Sequence, residues 1–235
     1  MAELLFLSNS YLKEFEATVL KAEGKLVVLD KTVFYPTGGG QPSDTGTIKT
    51  GKGSFRVLGA KKMDGEVFHE VDREGLAEGD KIKGIIEWER RYKLMRMHTA
   101  VHAFCGLFER EKGCLITGNQ LGTEESRVDL DLEAFDREMV ERIAEETNRK
   151  LAAGAEVKVY TIPREEALNI GNVSKLAAGL PDLKEFRIVD IVGIDTEADG
   201  GTHVSNTKEV GKIEIVRLEN KGKGRRRIYL RLSPA

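Results

Sequence analysis

The feature that most constrains this chain is a change of hydrophobic period near residue 90. Leu94, Met97, Val101, Phe104 and Phe108 are spaced 3, 4, 3 and 4. That interval draws one apolar stripe and predicts an amphipathic helix over 90–111, stopped by Gly113. Upstream the pattern is different. Residues 15–20, 26–29, 54–58, 67–71 and 81–88 are short strand-like runs, broken by turn material such as Ala22, Glu23 and Gly24. Strands at that spacing with no helical pattern between them predict a small β-barrel. The expected domains are therefore 1–89 and 90–235.

Downstream, Phe135, Met139, Ile143, Thr147 and Leu151 mark a second helix, with Asp131 as its expected N-cap and Gly154 just past its end. Strands are expected at 127–132, 156–162, 186–192, 212–218 and 226–232. The C-terminal part thus reads as α+β, two long helices on an antiparallel sheet. A composition of 40% hydrophobic and 32% charged residues excludes wholesale disorder. No apolar run approaches the roughly 18 residues of a membrane span, and Glu3 stands where a secretory leader is basic. The expectation is a soluble cytoplasmic protein with no membrane partner. Cys105 and Cys114 are too few for a disulfide framework and read as reduced thiols. A net charge of −2 excludes global attraction to nucleic acid and leaves only local basic patches.

With four histidines in the chain, clustering among them is informative. His98 and His102 lie four apart in HTAVH, so they share one helical face, beside Met97 and Val101 at the edge of the expected buried stripe. The pair alone fits a metal site and a chance surface pair equally well. His203 shifts that balance, because it follows Asp199 by four positions in the turn ADGGTHVSNT. Gly200 and Gly201 free the backbone to aim a carboxylate and an imidazole at one point. His98, His102, Asp199 and His203 then supply four ligands for one zinc ion, or three with Asp199 behind them. The alternative is an Asx-type turn in which Asp199 bonds its own backbone and His203 is merely exposed. Thr99 occupies the position where a zinc peptidase carries its glutamate base, so HExxH peptidase chemistry is excluded.

The run TVFYPTGGGQPSDTG at 32–46 is the other unusual segment. Gly38, Gly39 and Gly40 are costly to order, which suits close approach of a ligand, with Gln41 presenting an amide; the glycines by themselves fit a hairpin connection better. A phosphate-binding loop is a poor match, since the Lys-Ser or Lys-Thr pair of GxxxxGK[ST] is missing.

Taken in order, the 32–46 segment, HTAVH at 98–102, SRVDLDL at 126–132 and GGTHV at 200–204 resemble the editing domain of alanyl-tRNA synthetase, and most closely its relatives of the medium-length AlaX type. The resemblance covers nearly the whole chain. It implies a translation-factor-like barrel followed by a zinc-binding editing domain that hydrolyses the ester of alanine tRNA carrying serine, and often glycine. It also implies that His98, His102 and His203 are zinc ligands, that Gly38, Gly39, Gly40 and Gln41 belong to the editing pocket, and that Thr99 is the threonine of the HTA segment. One departure is visible: the family usually reads CGGTH and this chain reads DGGTH, so a carboxylate, less charge-donating and less selective for zinc, stands at Asp199. Cys105, three residues beyond His102, reads as core rather than as a substitute ligand.

Zinc in such a site polarises the ester carbonyl, activates water or orients the aminoacyl group, and no protein base stands beside the ligands in sequence. Thr99 and Thr202 are the candidates for recognising the serine hydroxyl. Arg90, Arg91, Lys93 and Arg96 form one basic patch for tRNA phosphates, and Lys221, Lys223, Arg225, Arg226 and Arg227 a second. The second patch reads equally as a charged hairpin turn. Competing with the deacylase reading are a non-catalytic tRNA-binding module whose metal site is weakened, and an enzyme acting on a free amino-acid ester or amide.

Overall fold

The computed structural model describes residues 2–134, 136–170 and 183–233. The chain divides into two compact units, Met1–Met95 and Arg96–Ala235. The first contains β1 (Glu3–Leu4), α1 (Leu5–Ser8), β2 (Glu14–Glu23), β3 (Leu26–Leu29), β4 (Lys31–Thr32), β5 (Gly46–Thr50), β6 (Gly53–Met63), β7 (Glu66–Val71) and β8 (Lys81–Ile86). Six of these close a barrel in the order β2-β3-β7-β6-β5-β8, with every pair antiparallel. Closure follows from alternation. In β8, for example, Ile82, Gly84 and Ile86 are buried while Lys81 and Lys83 are exposed, so one face of each strand fills the barrel with residues such as Phe15, Val27, Ile48, Phe55 and Val57.

The helix α2 (Trp88–Lys112) follows, then β9 (Ile116–Gln120), β10 (Ser126–Asp131), α3 (Arg137–Ala153), β11 (Val157–Pro163), α4 (Arg164–Ala167), β12 (Glu185–Ile191), β13 (Asp195–Ala198), β14 (Lys212–Asn220) and β15 (Arg225–Ser233). Two antiparallel sheets result rather than one, β14-β15-β10-β9 and β11-β12-β13. α3 packs on β14, where Asn148 donates to the Ile213 carbonyl at 2.9 Å and accepts its N–H at 2.8 Å. The α3 N-cap is Asp136, whose carboxylate accepts the Met139 N–H, and Gly154 ends the helix in the left-handed conformation. Asp131 is instead the last residue of β10, so the cap lies five residues later than the sequence pattern placed it. Phe135, expected on the α3 stripe, lies outside the described residues.

α2 also departs from expectation. From Leu94 to Glu109 every residue but Arg96 is buried, so the helix is enclosed on nearly all sides rather than along one stripe. The physical reason is that Ala100, Ala103 and Gly106 admit close neighbours on the faces where the large apolar residues do not point. No described helix is long and apolar enough to cross a membrane.

Candidate metal centre

α2 carries His98 and His102 one turn apart and Gly106 a turn further on, all on one helical face. Against that face lies β13, whose alternation points Asp195 and Glu197 the same way; Asp199, one residue beyond the strand, continues the series. The chain then turns through Gly200, Gly201 and Thr202 to His203. Two glycines make the approach close enough. A Cβ on Gly201 would stand 2.2 Å from His98 Cε1, and one on Gly106 would stand 2.7 Å from Asp195 Oδ1.

The result is that His98, His102, Asp199 and His203 each offer a ligand atom within 4.8 Å of the others. His203 Nε2 lies 3.0 Å from Asp199 Oδ2, and His98 Nε2 lies 3.8 Å from Asp199 Oδ1. Asp199 Oδ2 also accepts the Gly201 N–H at 2.5 Å. Asp199 therefore does close a local turn, yet His203 is only 3% exposed, so the turn and the cluster coexist. The far ring nitrogens are held from behind. Thr99 Oγ1 lies 3.2 Å from His203 Nδ1 and accepts the Val204 N–H at 3.3 Å. Asp195 Oδ2 lies 3.2 Å from His102 Nδ1, with Glu197 Oε2 at 3.7 Å.

Burial drives His98 well below its ordinary value and His203 down to about 4. Both imidazoles are thus neutral at pH 7, the form that ligates metal. Burial also works against charge on His102, but the Asp195 hydrogen bond and the carboxylates of Glu197, Asp199 and Asp195 outweigh it and push the ring up to about 10. Burial pushes Glu197 up to about 7 against the opposing pull of His102. Asp199 is also pushed up by burial, yet the surrounding His98, His203 and His102 hold it well below the usual carboxylate range. Three imidazoles and one carboxylate are a competent zinc donor set. A tetrahedral ion with bonds near 2.1 Å would space its ligands ~3.4 Å apart, and the His203–Asp199 and His98–Asp199 separations of 3.0 and 3.8 Å lie on either side of that value.

Residues 186–229 match the family model of the threonyl and alanyl tRNA synthetase second additional domain, and residues 3–90 match that of the class II (A) tRNA synthetases. The alanyl-tRNA editing protein AlaX-M of Methanosarcina barkeri is 48% identical over 241 residues, covering 99% of this chain and 99% of that protein. Its counterpart in Saccharolobus solfataricus is 45% identical over 238 residues, covering 100% of both. The chain belongs to the AlaX-M family of alanyl-tRNA editing proteins. The alanine–tRNA ligase of Ignicoccus hospitalis is 39% identical over 215 residues, 90% of this AlaX-M chain and 24% of the ligase.

The remaining candidates fall in several settings. Gly38 and Gln41 exchange backbone hydrogen bonds at 3.1 and 2.8 Å around Gly39 and Gly40, whose φ values of 56° and 83° define a tight turn that only glycine adopts readily. The turn reading of the glycines therefore describes their conformation, and the buried Gln41 ends it. These residues belong to the first unit and the histidine cluster to the second. Thr99 and Thr202 are both fully buried. Cys105 is buried, as expected for core, and burial raises its thiol well above the ordinary range.

Among the basic candidates, Lys93, Lys221, Lys223 and Arg225 are exposed and Arg90, Arg96, Arg226 and Arg227 are half-buried. Arg96 donates to the Val210 carbonyl at 2.8 Å, and Arg227 forms a two-pronged pair with Asp129 at 2.6 and 2.9 Å. Arg91 requires a correction. It is 0% exposed and ion-paired with Asp44 inside the first unit, so it has no surface to offer a phosphate. Sequence reasoning missed Asp195, Glu197 and Gly106. The signal was there: Asp195, Glu197 and Asp199 recur every second residue, as on one face of a strand.

Proposed function

We propose that the chain is a trans-editing deacylase that hydrolyses the ester of alanine tRNA mischarged with serine or glycine, working in the cytoplasm with one zinc ion. The observation that carries this reading is the convergence of His98, His102, Asp199 and His203 within 4.8 Å. Its support comes from relatives that are alanyl-tRNA editing proteins over their full length. A bound zinc ion would supply Lewis-acid polarisation of the ester carbonyl or an anchor for the aminoacyl group.

The chain's own residues do the rest. His98, His102, His203 and Asp199 hold the ion, with His203 fixed by Thr99. Selection of the amino acid is assigned to Thr99 and Thr202. A buried site that hydrogen-bonds a serine hydroxyl leaves polar groups unpaired when alanine enters, and such discrimination reaches about ten-thousand-fold. Gly38, Gly39, Gly40 and Gln41 are assigned to substrate binding. Phosphates of the tRNA are assigned to Arg90, Lys93 and Arg96 and to the β14–β15 hairpin. There, a groove of about 310 Å³ is lined by Thr117, Asp129, Lys221, Arg225, Arg226 and Arg227. Arg227, already paired with Asp129, contributes least.

The test is deacylation of seryl-, glycyl- and alanyl-tRNA with and without chelator. Seryl and glycyl esters are hydrolysed, alanyl ester is spared, and chelator abolishes the reaction. Absence of chelator-sensitive deacylation of all three substrates would refute the reading in favour of a non-catalytic tRNA-binding module.

A further inference from the structure

The carboxylate of Asp195 has no place in the proposed ligand set, yet it is 6% exposed and directed at a ligand. We propose that Asp195, seated in the notch left by Gly106, is the positioning residue that fixes His102 so that its Nε2 faces the metal. This rests on the metal reading above and deepens it.

Three observations carry it. First, Asp195 Oδ2 lies 3.2 Å from His102 Nδ1. A carboxylate accepts and an N–H donates, so the proton sits on Nδ1 and the ligating position is Nε2. At His203 the ring is likewise held from the far side, with Thr99 Oγ1 3.2 Å from Nδ1 and Nε2 turned toward Asp199. Secondly, the site is built for this carboxylate. Gly106 follows His102 by four residues on α2, and a Cβ there would meet Asp195 Oδ1 at 2.7 Å and its Cβ and Cγ at 3.0 Å. Glycine inside a helix is less favourable than alanine; here the missing side chain is the space the carboxylate occupies. Thirdly, β13 is an edge strand whose alternation brings Asp195 and Glu197 to the same ring, so His102 meets a carboxylate face rather than a chance neighbour.

His102, Asp195 and Glu197 also lie within 4.8 Å of one another and could themselves be read as a second metal site. The direct imidazole–carboxylate hydrogen bond favours the positioning role, and metal stoichiometry decides between them.

The experiment measures zinc affinity by competition with a chromophoric chelator, and the visible spectrum of the cobalt-substituted protein, for the wild type, Asp195→Ala, Asp195→Asn and Gly106→Ala. Loss of such an outer partner typically weakens metal binding 10- to 100-fold. Asp195→Ala is expected to show that loss and a shifted cobalt band at one ion per chain. Asp195→Asn, which keeps an acceptor but not the charge, falls between it and the wild type. Gly106→Ala displaces the carboxylate without touching any ligand and is expected to weaken binding in the same way, which separates the effect from simple deletion. If Asp195→Ala does not fold, the other two variants carry the comparison. Unchanged affinity and an unchanged cobalt spectrum in Asp195→Ala, or in the other two variants in its stead, would overturn the proposal while leaving the metal reading intact. Two ions per wild-type chain, the second lost with Asp195, would overturn it in favour of a two-metal site. A wild type that binds no zinc or cobalt would overturn both.

Discussion

Replacing Arg91 by Met separates a structural arginine from a nucleic-acid contact. The guanidinium is fully buried, donates to Asp44 Oδ1 and Oδ2 through Nε at 2.9 and 3.0 Å, and reaches the Ser10 carbonyl at 2.9 Å and the Val33 carbonyl at 2.6 Å. Asp44, itself 1% exposed, also accepts the Tyr35 N–H at 2.7 Å. The arginine thus ties together the start and end of the glycine-rich segment. Methionine keeps the apolar stem and removes the charge, leaving a buried carboxylate without its cation and two carbonyls without this donor. Breaking a buried pair from one side costs about 3–5 kcal/mol. At roughly 2–4 °C per kcal/mol for a chain of this size, Tm falls by ~6–20 °C. The single tryptophan, Trp88, stacks on Tyr92 with ring centroids 5.4 Å apart, close in sequence to Arg91, so its fluorescence follows unfolding in urea. Adding Asp44→Asn should recover part of the loss, because the uncompensated charge is then gone. A variant with wild-type stability and a flattened salt dependence of tRNA binding would refute this reasoning and return Arg91 to the phosphate contacts.

Three further outcomes are expected. His69 is buried, donates from Nδ1 to the Val27 carbonyl at 3.0 Å and accepts the Thr32 hydroxyl at Nε2 at 2.8 Å, and burial lowers its pKa from 6.5 to about 4. The unfolded chain therefore takes up a proton first: this contribution to stability is intact above pH 6.5 and is lost as pH falls toward 4, by up to ~3 kcal/mol. Urea stability measured from pH 7.5 to 4 should fall less steeply in His69→Gln, and equal slopes would rule the assignment out. Asp199→Cys should hold zinc more tightly and discriminate better against manganese, since thiolate is the softer donor; metal competition would show it, and a weaker zinc site would contradict the ligand role. Thr99→Val leaves His203 Nδ1 and the Val204 N–H without this partner, at about 1–3 kcal/mol, so zinc affinity should drop. If only the ratio of seryl to alanyl hydrolysis changes, Thr99 acts on substrate and not on His203.

How much of this was legible in the sequence differs from element to element. The barrel strands with alternating large apolar residues could be read directly, as could the body of α3, where Ile143, Thr147 and Leu151 of the expected stripe are buried, Met139 is half-buried and Gly154 ends the helix in the left-handed conformation. β5 was missed because Gly46–Thr50 offers one buried large side chain, Ile48. β13 was missed for a related reason: Asp195–Ala198 is polar, and its carboxylates face His102 rather than water or a hydrophobic core. The convergence of His98, His102, Asp199 and His203 was legible because two spacings of four, on a helix and in a turn, are short-range geometry. Asp195 and Gly106 were not, since their relation is set by the packing of α2 against β13. Charge clusters were the least reliable guide. Arg91 and Arg227 lie two residues from the exposed cations Lys93 and Arg225 but find carboxylate partners far along the chain, at Asp44 and Asp129.

The central claim, metal-dependent editing at the histidine cluster, is tested most directly by single-turnover hydrolysis of seryl-tRNA specific for alanine, using protein stripped of metal and then titrated with zinc. The account predicts no hydrolysis above the spontaneous rate in the stripped protein and full recovery at one zinc per chain. Hydrolysis at the full rate without metal, or none with zinc bound, would contradict it.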